Sequence, residues 1–187
     1  MANLNSGTIQ SGDLLLGPSS RPNDPFHRTV ILLCTHDTDG SFGLIINRPT
    51  DITTDKILDI DIDQHIIHLG GPVDMNRLTF LHRHGDQIQE SLPVYDDIAF
   101  LGNVSDMVDM MQDRAITSKQ IRFFIGHSGW EPGQLEDELK RNYWFVTRAS
   151  ATTVFEHDPE TLWRSLLLQM GGEYAMVANF PHDPKLN

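Results

Sequence analysis

Hydrophobic and polar positions divide the chain into short blocks of two kinds. Residues 29–35 form an almost continuous apolar run, which at this length predicts a strand buried on both faces. A second run, residues 43–47, follows a polar link that contains Asp39-Gly40, so the two are expected to pair as an antiparallel hairpin. Pro49 is expected to end the second strand and to lead into a helical turn over residues 54–58. Further strands are predicted over residues 65–69, 78–82, 121–125, 143–147 and 175–178, with β-rich character through 87–101. Val104, Met107, Val108 and Met111 recur at i, i+3, i+4 and i+7 opposite Asp106, Asp109, Gln112 and Asp113, the pattern of an amphipathic helix. Asp158-Pro159-Glu160 supplies an N-cap, a first-turn proline and a first-turn acid for a helix carrying Trp163, Leu166, Leu167 and Met170 on one face; Gly171-Gly172 ends it. Strands outnumber helices and come in runs, so the predicted class is α+β, with a largely antiparallel or mixed sheet and about three main helices.

The stretch richest in local signals is Gly126-His127-Ser128-Gly129-Trp130-Glu131-Pro132-Gly133. Between an apolar run and a helical pattern it predicts a strand-to-helix junction, with Gly129 and Gly133 turning the backbone and Pro132 in the first helical turn. Gly-His-Ser-Gly resembles a nucleophile elbow, but that motif needs a small residue two places after the serine, and Trp130 stands there. Asp158 and His182 follow in the order a triad would need, without surroundings that single them out. Ser128 is therefore expected to be structural. Anion binding at the helix start is disfavoured by Glu131, Glu136, Asp137 and Glu138, which already answer the positive end of the helix dipole.

The 187 residues suit one domain, expected over 13–180, with a flexible arm at 1–12 and a polar tail at 181–187. Fourteen Lys and Arg against 26 Asp and Glu give a net charge of −12, which opposes nucleic acid and anionic lipid at long range. Cys34 falls inside the first apolar run and is expected to be an inert core thiol. The N-terminal residues lack an apolar targeting segment, and no apolar run approaches the ~18 residues of a membrane span, so a cytoplasmic protein is expected. Residues 59–63 alternate Asp and Ile but lack the glycine and distal glutamate of a calcium loop. No cofactor is expected.

Several blocks occur in an order that resembles the bacterial AlgH/YqgE family. They are Gly12-Asp13-Leu14-Leu15, Asp24-Pro25-Phe26 with Arg28-Thr29-Val30, and Gly43-Leu44-Ile45-Ile46-Asn47-Arg48-Pro49. Gly70-Gly71-Pro72-Val73, Leu81-His82, Gly129-Trp130 with Pro132-Gly133-Gln134-Leu135-Glu136, and Leu162-Trp163 continue the series. The resemblance implies a compact α+β domain of coiled, partly bifurcated sheets in the bacterial cytosol. It implies no catalytic residue or cofactor, and it brings the description of a transcriptional regulator by association with exopolysaccharide control. Ser128 departs from the alanine common at this place in the family, a further reason to expect no nucleophile there.

Three functional readings follow. The first is a non-catalytic binding or regulatory domain that acts through a protein partner or a small ligand, touching neither nucleic acid nor membrane. Its candidate surface gathers Asn47, Arg48, Gly70, Gly71, Ser128, Gly129, Trp130, Gln134 and Glu136 at strand ends. A purely structural role for the same residues would pair Arg48 with a carboxylate such as Glu136. The second is a metal-dependent hydrolase using His82, His84 and Asp86, since i and i+2 on a strand share a face and both imidazoles could meet one Zn²⁺. The third is direct DNA binding, which the family description suggests, and which the acidic balance and the lack of a recognition motif oppose.

Overall fold

The computed structural model describes residues 8–20, 23–58 and 62–180. Ten strands fall among them: β1 (Asp13–Leu16), β2 (Val30–Asp37), β3 (Gly40–Ile45), β4 (Pro49–Thr53), β5 (Ile66–Leu69), β6 (Val73–His82), β7 (Leu92–Tyr95), β8 (Ile98–Phe100), β9 (Ile121–Trp130) and β10 (Phe145–Arg148). Five α-helices accompany them: α1 (Val104–Gln112), α2 (Gln134–Lys140), α3 (Ala151–Phe155), α4 (Pro159–Met170) and α5 (Gly172–Val177). The strand order is β10-β1-β2-β3-β9-β6-β8-β7, with β5 joining β9 and β4 joining β5. Every pairing is antiparallel except β5 with β9, so this is the expected α+β domain with a mixed, branching sheet.

The apolar run of β2 is buried on both faces for the reason its sequence suggests. Val30, Leu32 and Cys34 enter one core with α3 and α4, while Ile31 and Leu33 enter a second against Trp130, Leu135 and Trp144. A third core packs Met107 and Met111 of α1 against Phe80, Ile121 and Phe123. Alternation along β9 ties the three together: Phe123 faces the third core, Phe124 the first and Trp130 the second. Cys34 is 1% exposed, and burial pushes its thiol well above the ordinary range, which makes it inert.

β9 is also where the sheet divides. Residues Phe123–Ile125 pair with β5, whereas Ser128–Trp130 pair with β3. The link from β5 to β6 must then cross β9 at backbone distance. A Cβ on Gly71 would lie 2.2 Å from the His127 carbonyl group, and one on Gly126 would lie 2.4 Å from Gly71 O. Gly126 adds a φ of +68°, the bend at which β9 changes partners. Gly70-Gly71 and Gly126 are thus two halves of one crossing.

Several elements differ from what the sequence pattern predicts. Residues 126–130 are strand rather than a turn into a helix; the junction lies at Glu131 to Gly133, where Gly133 at φ +79° precedes α2. Gly129 does not have a positive φ, so it bends nothing. Residues 175–178 belong to helix α5 and the turn after it, not to a strand, because Tyr174 and Val177 pack on the first core. Pro49 opens β4 instead of closing the preceding strand. The β2–β3 turn is Thr38-Asp39, held by the Asp39 N–H on Asp37 Oδ1 at 2.8 Å. Of the expected arm, residues 8–12 are docked: Ile9 lies in the second core and the Gly12 N–H donates to Leu33 O at 2.8 Å. Residues 1–7, the tail at 181–187 with His182, and 59–61 of the acidic alternation lie outside the described residues.

Candidate functional site

β6 and β9 pair from Leu78↔Ile125 to His82↔Ile121, lose register, and meet again at Val73↔His127. Beside this gap, between β3, β6 and the residues after β8, lies a cavity of about 240 Å³. Its wall is aromatic: Phe42 stacks on His127 with centroids 4.7 Å apart at 30°, and on Phe100 at 5.5 Å and 25°. Thr79, 4% exposed, is among its lining residues, although its Oγ1 is buried away from the open space and has no hydrogen-bond partner among the described residues. Arg77 is exposed at its rim, and its side chain makes no hydrogen bond or ion pair among the described residues.

Leu101, on the same wall, has a φ of +56°, a conformation that costs a branched residue about 1–2 kcal/mol. His82 holds it there. The fully buried ring donates from Nε2 to Leu101 O at 2.8 Å and accepts the His84 N–H at Nδ1, so it is the neutral Nε2–H tautomer. Burial lowers its pKa, consistent with that state. Burial also holds His127 below its ordinary value, with Asp74 pulling it up and Arg77 pushing it down; the imidazole is neutral at pH 7.

The residues singled out in the sequence take other positions. Asn47 clips two strands, accepting the Val30 N–H at 2.7 Å and donating to Arg28 O at 3.0 Å. Arg48 donates to His27 O at 2.9 Å, and Glu136 faces His36 Nε2 at 3.7 Å, so the pairing of Arg48 with Glu136 does not form. Gly70 and Gly71 make the crossing, and Ser128, 1% exposed, donates to Gly70 O at 3.3 Å. Gly129 is exposed and pairs with Phe42. Trp130 is 6% exposed; its indole N–H donates to Glu138 Oε2 at 2.9 Å, the oxygen that also accepts from Trp144 at 2.7 Å, while Gln134 donates to Glu138 Oε1 at 2.8 Å. None of the nine lines this cavity, although Gly126 and His127 adjoin Ser128 and do. Strand alternation sends His127 and Ser128 to opposite faces.

The metal set does not assemble. His82 has both ring nitrogens engaged in the core, His84 Nδ1 meets Gln87 Oε1 at 3.1 Å, and Asp86 is exposed on the wall of a separate cavity of about 480 Å³. Among the described residues no three His, Cys, Asp or Glu side chains gather as metal ligands. In that second cavity Arg83 is already paired with Asp97 at 2.6 Å. A further cleft is lined by Arg122, whose guanidinium donates to the carbonyls of Ile46, Phe155 and His157 at 3.0, 3.4 and 3.3 Å and so ties the α3–α4 corner to the sheet. Burial lowers Arg122 to about 10, and burial, followed by the Arg122 charge, lowers the adjacent His68 to about 4, partly offset by the Phe123 and Ile66 backbone.

No helix among the described residues is long and apolar enough to cross a membrane. A UPF0301 protein of Chlorobium phaeobacteroides is 34% identical over 180 residues, covering 96% of each chain. One from Cytophaga hutchinsonii is 33% identical over 182 residues, covering 96% of this chain and all of its own. The solution structure of AlgH from Pseudomonas aeruginosa superposes with a TM-score of 0.69 at 27% identity, over 94% of this chain and 97% of that one. A crystal structure from Corynebacterium diphtheriae shares the fold at 19% identity, with a TM-score of 0.78 over 93% and 94% of the two chains. Residues 14–175 match the AlgH-like family, and the chain belongs to it.

Proposed function

We propose that the protein is a non-catalytic binding or regulatory domain of the cytosol that takes a small ligand, or a side chain of a protein partner, in the cavity between β3, β6 and β9. The observation that carries this reading is the aromatic wall of Phe42, Phe100 and His127 with the exposed Arg77 at its rim. Aromatic rings beside a few convergent polar groups are the usual make-up of a binding cavity. The polar side chains nearest to a catalytic pattern are already committed: Ser128 to Gly70 O, and His82 to Leu101 O. Influence on transcription would run through a partner, because a chain of net charge −12 must overcome phosphate repulsion before any base contact forms.

Backbone and side-chain NMR of the labelled protein, titrated with a panel of small aromatic and aliphatic probes, tests the reading. Resonances of Thr79, Phe100 and His127 should shift together and saturably. A panel that leaves all three unmoved would show that the cavity binds nothing of this size.

A further inference from the structure

The size and lining of the cavity narrow its ligand, provided that the reading of it as a binding site holds. About 240 Å³ falls short of the ~300 Å³ at which drug-sized pockets begin, which suits one ring and one substituent within the cavity. Phe42 stacks within 30° of parallel on both His127 and Phe100, so the three rings form one continuous aromatic wall against which a flat ring packs. With His127 neutral, that wall stacks without adding a second positive charge. Arg77 then supplies the cation at the rim, and its planar fork of donors fits the two oxygens of a carboxylate.

Two charges oppose an anion. Asp74 acts on His127 from nearby, although it does not line the cavity, and the whole chain carries −12. The second is screened beyond ~8 Å at physiological salt, so Arg77, in contact, decides the local preference.

We infer that the cavity takes a single aromatic ring bearing a carboxylate, with the ring packed against the wall of Phe42, Phe100 and His127 and the carboxylate on Arg77.

Four probes separate the parts of this inference: benzoate, benzamide, benzylamine and cyclohexanecarboxylate, each titrated into the full-length protein and followed at the Thr79 and His127 resonances. Benzoate should bind at least about tenfold more tightly than benzamide, the scale of one charge-assisted contact at a partly exposed site. Cyclohexanecarboxylate should lose affinity because it cannot stack, and benzylamine should be the weakest. Arg77 is exposed, so Arg77→Gln leaves folding intact; it should erase the preference for benzoate over benzamide. Equal binding of benzamide or benzylamine, or benzoate affinity unchanged in Arg77→Gln, overturns the carboxylate assignment while leaving a binding cavity. Equal binding of cyclohexanecarboxylate overturns the stacked ring. Silence at Thr79 and His127 with all four probes removes the inference together with the proposed function beneath it.

Discussion

The two sides of the crossing on β9 treat their polar groups in opposite ways. Beyond it, Ser128 and Trp130 both have partners, and Glu138 accepts from two indoles and Gln134. Before it, beside Gly126 and His127, Thr79 keeps a buried hydroxyl and Arg77 an exposed side chain, neither with a hydrogen-bond or ion-pair partner among the described residues. The first side carries the most conspicuous sequence, yet its residues serve one another. A dense motif marks where the backbone is constrained; polar groups left unserved mark where something else can bind.

The crossing itself gives the largest expected effect. Gly126→Ala places a methyl 2.4 Å from a backbone oxygen at φ +68°, and should cost about 4 kcal/mol or prevent folding. Gly129→Ala, whose new Cβ meets nothing nearer than the His127 ring at 3.9 Å, should change stability by less than about 1 kcal/mol. Denaturant midpoints of the two variants decide it; similar losses would mean that both glycines are needed by the turn their sequence suggested.

A titratable group extends the same contrast. His68, 6% exposed, has an Nδ1 without a partner among the described residues, and its pKa falls to about 4 against an ordinary 6.5. The unfolded chain therefore takes up the proton first. Stability contributed by neutral His68 is fully present above pH ~6.5 and is lost as pH falls toward ~4, by up to roughly 3 kcal/mol. Burial lowers His65 and His82 as well, adding in the same sense. Urea unfolding between pH 7 and 4.5 should show this slope, and His68→Gln should flatten it; an unchanged slope in the variant would assign the loss elsewhere.

On the satisfied side, Glu138→Ala strips the acceptor from two buried indoles and should cost about 2 kcal/mol, while Glu138→Gln, which keeps one side-chain oxygen, should cost less. Near-UV circular dichroism would report the tryptophans directly. Full stability in Glu138→Ala would mean that the indoles find other acceptors, and the contrast between the two sides would weaken.

What could be read beforehand was whatever depends on neighbours in sequence. The double-faced burial of β2, the methionine stripe of α1 and the Asp158-Pro159 start of α4 are local patterns, and each appears where its spacing puts it. Ala-Met-Val-Ala at the end of the chain is too short for its period to separate helix from strand, and packing of Tyr174 on Phe145 helps to place α5. β1 lies outside the predicted elements because a four-residue strand between two sheet neighbours carries little pattern of its own. The cavity was illegible for a stronger reason. Thr35, Phe42, Thr79, Phe100 and His127 come from five different strands, and a missing hydrogen bond at Thr79 exists only once those strands are assembled.

The smallest expected effect is the sharpest test of the contrast, because it concerns a sign. Ser128→Ala removes a hydroxyl that donates to Gly70 O at 3.3 Å, a long bond in a buried place, and should lower stability by about 0.5–1 kcal/mol. Thr79→Val removes a hydroxyl with no partner among the described residues, keeps the branched shape that suits a strand, and should leave stability unchanged or raise it by as much as about 1 kcal/mol. Two deletions of one buried oxygen on neighbouring strands should therefore move the unfolding midpoint in opposite directions or leave only the serine variant weakened. Should Thr79→Val cost more than Ser128→Ala, the Thr79 hydroxyl would have a partner in the free protein, such as an ordered water with further contacts. The cavity would then be a filled element of the fold, and the distinction between the two sides of β9 would disappear with it.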